Sequence, residues 1–96
     1  MPSRQMDFQF SGAELCAMME RVSDRVGRVP KDKLEAALVE QFPDERERKI
    51  ARATIIVLVK CYDAKRDYED VQKVIVWRDA AGKPNDIQIE FGRRRG

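Results

Sequence analysis

Ala53-Thr54-Ile55-Ile56-Val57-Leu58-Val59-Lys60-Cys61-Tyr62 is the stretch on which the fold turns. Apolar side chains fill almost every position instead of one face, so the segment must be covered on more than one side, by the domain or by a partner. It therefore marks the centre of the fold and hints at an interface. Five of the six residues from Thr54 to Val59 are β-branched, which favours a strand. No breaker separates them from the helical turns before them, however, and continuity and length predict a helix through about Tyr62.

Upstream, Asp44 stands as a cap with Glu47 at the third position, and the first turns are charged. Acids at the start suit the helix dipole, and Asp44–Arg48 and Glu45–Lys49 are spaced for local ion pairs. Pro43 closes an earlier helix over Lys31–Phe42, with Leu34, Ala37, Leu38 and Phe42 on one side. Before that, Ser11 and Glu14 form a capping box, and Phe10 and Leu15 hold the staple positions. The helix they start carries a stripe of Leu15, Met18, Met19, Val22 and Val26 and stops at Gly27, expected in the left-handed conformation. At the N-terminus, Met6, Phe8 and Phe10 alternate with Asp7 and Gln9, the period of a half-buried strand.

Downstream, Asp63–Asp70 is polar and contains turn formers. Lys73–Arg78 and the alternating Ile87, Ile89 and Phe91 read as two strands of a hairpin joined by the turn-rich Asp79–Asp86. The fold expected is α+β: three helices on one face of a small antiparallel sheet, built from the N-terminal strand and the C-terminal hairpin. One domain spans 1–92, and a basic tail covers 93–96. The order helix, helix, helix, basic hairpin resembles the winged-helix architecture in outline. It departs from it because the early strand precedes the first helix, and because the second half of the third helix is apolar instead of groove-reading. The likeness is one of fold order and carries no residue roles.

Charge and residue chemistry bound the function. The 96 residues carry 19 basic and 17 acidic groups, a net +2, which argues against a polybasic nucleic-acid coat. Residues 1–48 hold 8 basic and 10 acidic groups and residues 49–96 hold 11 and 7, so the positive excess lies in the second half. There is no histidine, which removes the commonest general base, the usual nucleophile pairs and most zinc sites. No glycine-rich phosphate loop is present, and Asp86 and Glu90 lack the nearby lysine of a metal-dependent nuclease. No enzyme activity, cofactor or metal is expected. Cys16 and Cys61 are read as reduced core thiols of a cytoplasmic protein, with a long-range disulfide as the alternative. No apolar run approaches membrane-spanning length.

The leading expectation is a non-catalytic module that regulates a nucleic-acid process by contacting nucleic acid or a nucleoprotein complex. Its phosphate contacts would be Arg48, Arg52, Arg78, Lys83 and the tail residues Arg93, Arg94 and Arg95. The alternative is a protein-binding adaptor or inhibitor without nucleic-acid contact, acting through Ile55, Ile56, Val59 or Trp77. A homodimer or a stable complex with another protein is expected, because the apolar surface exceeds what one small domain easily covers. The stripe Arg21, Arg25, Arg28 reads as a solvated helix face with Asp24 as its local partner.

Overall fold

The computed structural model describes residues 5–92. The elements run β1 (Gln5–Ser11), α1 (Gly12–Val26), a 3-10 turn (Lys31–Lys33), α2 (Leu34–Gln41), α3 (Glu45–Asp63), a second 3-10 turn (Tyr68–Asp70), β2 (Val71–Arg78) and β3 (Pro84–Phe91). The strands form one antiparallel sheet in the order β1-β2-β3, so the N-terminal strand joins the C-terminal hairpin. Phe8 and Phe10 of β1, Val74 and Val76 of β2, and Ile87 and Ile89 of β3 pack into one core with Leu15, Met18 and Val22 of α1, Leu38 of α2 and Val57 of α3. The helices thus cover one face of the sheet.

The stretch 53–62 is helical. Its β-branched residues lose rotamer freedom there, and tertiary burial outweighs that cost. Ala53, Thr54, Val57 and Cys61 are buried, and the Thr54 hydroxyl donates to the Ile50 carbonyl at 2.8 Å, so the one polar group inside is satisfied. Asp44 caps α3 by accepting from the Glu47 amide at 2.9 Å. The helix ends in a Schellman arrangement: the Arg66 amide reaches the Cys61 carbonyl and the Lys65 amide the Tyr62 carbonyl. Lys65 holds the left-handed position there, with φ 55°.

The Ser11–Glu14 capping box forms in both directions. Gly12 follows it at a point of close approach, where a Cβ would lie 1.9 Å from the Val71 carbonyl oxygen. Gly27 differs from expectation: it is right-handed (φ −62°), and its amide simply continues the helical bonding to Ser23. The hairpin closes on Asp79, whose carboxylate accepts from the amides of Ala81 and Lys83 at 2.9 Å each, with Gly82 supplying a positive φ of 77°.

A bulge between Met6 and Phe8 alters the simple alternation of β1. The extra residue reverses the facing of everything before it. Met6 lies opposite Trp77 and is 49% exposed, whereas the Asp7 side chain is only 2% exposed. Arg78 grips Asp7 through Nε at 2.8 Å, and Lys49 of α3 reaches its other oxygen at 3.6 Å. That carboxylate therefore ties one end of the β1–β2 pair, the start of β1 and the end of β2, to α3.

Candidate functional site

The basic candidates are placed by α3, the end of β2 and the hairpin. Arg48, in the first turns of α3, donates to the carbonyls of Phe42 and Pro43 and so caps the end of α2. Arg52 makes a two-pronged ion pair with Glu35 of α2 at 3.0 and 2.8 Å. This bonding raises the guanidinium pKa and holds the Glu35 carboxyl below the usual carboxylate range. Arg78 is held by Asp7. Lys83 is exposed where the hairpin loop closes, its backbone bonded to Asp79. Arg93, Arg94 and Arg95 lie outside the described residues.

The same pattern extends to α1. Arg21 does not pair with Asp24 but forms a two-pronged bond with Glu47 of α3, 3.1 Å on each side, which depresses the Glu47 pKa. Arg25 donates to the Gln41 carbonyl. Both guanidinium groups lie over the buried Phe42 ring, at 5.4 and 5.3 Å from its centroid. Five arginines from two helices and one strand thus act as crosslinks between elements, each with a partner inside the molecule.

The apolar candidates behave differently. Ile55 is half-buried against the core, while Ile56 is 39% and Val59 55% exposed. Two residues outside the expected set complete the surface: Leu58 is half-buried, and Tyr62 is 84% exposed. Ile55, Leu58, Val59 and Tyr62 follow the spacing i, i+3, i+4, i+7, which places them on one stripe of α3 about 100° wide. The spacing is readable in the sequence once 53–62 is taken as a helix. Trp77 is half-buried on the sheet face away from the helices, where its indole N–H donates to the Gln88 side chain at 3.1 Å. Ile75 is buried beside it, flanked across the sheet by Gln9 and Gln88.

An open groove of about 1230 Å³ runs between α1 and the 3-10 turn at Tyr68–Asp70, lined by Cys16, Glu20, Asp24, Tyr68 and Glu69 among others. Burial, followed by the adjacent Glu69 and other negative neighbours, pushes the Tyr68 phenol up. Cys16 is half-buried at this groove and Cys61 is buried, both as free thiols, and desolvation raises the Cys61 pKa, which keeps it an unreactive thiol. Asp86 and Glu90 lie on the open face of the sheet, opposite Trp77 and Lys73. Among the described residues no cluster of three or more metal-binding side chains occurs, and no helix is long and apolar enough to cross a membrane.

Comparison of the chain with protein-family models, with curated proteins and with solved structures gives no match.

Proposed function

We propose that this chain is a non-catalytic binding module that docks another protein against the second half of α3. The observation that carries this reading is the exposure of Val59 and Tyr62, at 55% and 84%, on the stripe they share with Ile55 and Leu58. An apolar helix stripe spaced in this way suits packing against a partner's helix. The candidate arginines support the same reading from the other side, because Arg48, Arg52 and Arg78 already have partners within the domain. Capture experiments test it: proteins retained on the wild-type chain should survive 0.5 M salt and nuclease treatment and be lost with Val59→Lys or Tyr62→Lys. Retention that disappears with nuclease or salt, and is unchanged by those substitutions, rejects it.

A second reading, phosphate contact by the hairpin, is favoured by the exposed Lys83 in its loop. It predicts nucleic-acid affinity that falls steeply with salt, and a salt dependence that flattens in Lys83→Gln.

A further inference from the structure

The two outer edges of the sheet are unequal. An edge strand displays a row of backbone N–H and C=O groups that another chain can pair with, unless bulges, lysines, prolines or a covering element prevent it. At β1 the bulge at Asp7 breaks the edge, and Lys49 ties it to α3. β3 begins with Pro84 and a register shift between Pro84 and Asp86, but from Asp86 to Glu90 it stays in unbroken register with β2, and Asp86–Phe91 contains no proline, lysine or glycine. Among the described residues no strand lies beyond β3.

The two faces of β3 also differ in chemistry. On the helix side, Ile87 and Ile89 pack on the core but remain half-buried, and the half-buried Phe91 ring lies beneath the Arg66 guanidinium, 4.1 Å from its centroid. On the open side, the exposed Asp86 and Glu90 flank Gln88, so the charged residues of β3 on this face are acids, with Lys73 of β2 across from Glu90.

We infer that β3 is a docking edge for an extended segment of another protein, one with apolar side chains towards the helices and lysines or arginines on the open face. Backbone pairing supplies the attachment, and the side-chain alternation supplies the choice. A basic residue opposite Asp86 or Glu90 is a favourable cross-strand pair, whereas an acid there is unfavourable. That rule also selects against a second copy of this chain. Two-fold pairing centred on Gln88 sets Asp86 of each copy against Glu90 of the other, and moving the centre to Ile89 still leaves the two Glu90 side chains as diagonal neighbours. This edge is separate from the stripe on α3, and either can fail while the other stands.

The test uses the full chain labelled with ¹⁵N and a blocked seven-residue peptide alternating lysine and valine. The expected result is amide shifts concentrated on residues 86–91, and affinity roughly tenfold above that of the glutamate–valine peptide. A lysine peptide N-methylated on alternate residues, which removes edge hydrogen bonds, should lose binding. Asp86→Lys combined with Glu90→Lys should reverse the preference between the peptides; if that variant does not fold, Glu90→Gln alone should weaken the lysine peptide several-fold. Shifts located elsewhere, equal affinity for the two peptides, no binding at about 1 mM peptide, or a free protein already dimeric through β3 would each overturn the inference. Loss of protein capture in Val59→Lys with peptide binding intact separates this surface from the proposed helix stripe.

Discussion

Glu45–Arg52 and Ala53–Tyr62 share one helix but invert the usual division of labour. The charged half is consumed inside the domain: Glu47 holds α1, Arg48 caps α2, Lys49 reaches β1, and Arg52 holds α2 again. The apolar half, which by composition should be the better hidden, leaves Val59 and Tyr62 in solvent. α2 is joined to the charged half of α3 through Glu35–Arg52, whereas Val59 and Tyr62 lie further along the helix and stay exposed. Charge in such a domain reports where elements are clamped together, and grease reports where the covering layer ends.

Substitutions under the charged half should have the largest effects. Phe42 is fully buried beneath Arg21 and Arg25, and Phe42→Ala should cost about 3–5 kcal/mol, read by denaturant unfolding. A cost below about 1 kcal/mol would mean that the clamp does not rest on this ring. Asp7→Asn keeps the shape but removes the carboxylate shared by Arg78 and Lys49; about 1–3 kcal/mol should be lost, since both cations are only partly exposed.

Acid should weaken the same half selectively. Glu35 and Glu47 have pKa values lowered by their arginine bonds, so their stabilisation is present in full above the unfolded carboxylate value, roughly pH 4, and disappears as pH falls through the lower folded values. The drop in Tm between pH 6 and pH 3 should therefore be smaller in the double variant Glu35→Gln, Glu47→Gln than in the wild type. An equal drop in both would show that these bonds do not hold in solution. Lys65→Gly, which relieves a left-handed side-chain-bearing residue at the end of the apolar half, should gain stability by about 0.5–1 kcal/mol. The smallest stability effect belongs to the stripe itself: Tyr62→Ser should change unfolding by less than about 0.5 kcal/mol while abolishing partner capture. Substantial destabilisation instead would make Tyr62 part of the fold and end the comparison.

Local chemistry was readable from the residues. The capping box at Ser11, the cap at Asp44, the stripes of α1 and α2, and the hairpin alternation all follow from contacts within a few positions. What could not be read depends on elements meeting at a distance. Asp24 is the natural sequence neighbour for Arg21, yet Glu47 takes it because α1 and α3 lie side by side. Alternation alone places Met6 inward and Asp7 outward, and one bulge exchanges them. The candidate interface was legible in part: Ile55, Ile56 and Val59 came from the apolar run, while Tyr62, although inside the predicted helix and spaced with Ile55 and Val59, stood out only through its exposure in the fold.

The helical state of Thr54–Val59 has a consequence for the denatured protein. These six consecutive residues carry no charge and no proline, and five are β-branched, the composition of segments that stack into cross-β fibrils. In the native state their amides are occupied within α3. Docking of α3 thus also sequesters a segment of that composition, and conditions that release the helix should convert the chain to thioflavin-binding aggregate instead of a refoldable coil.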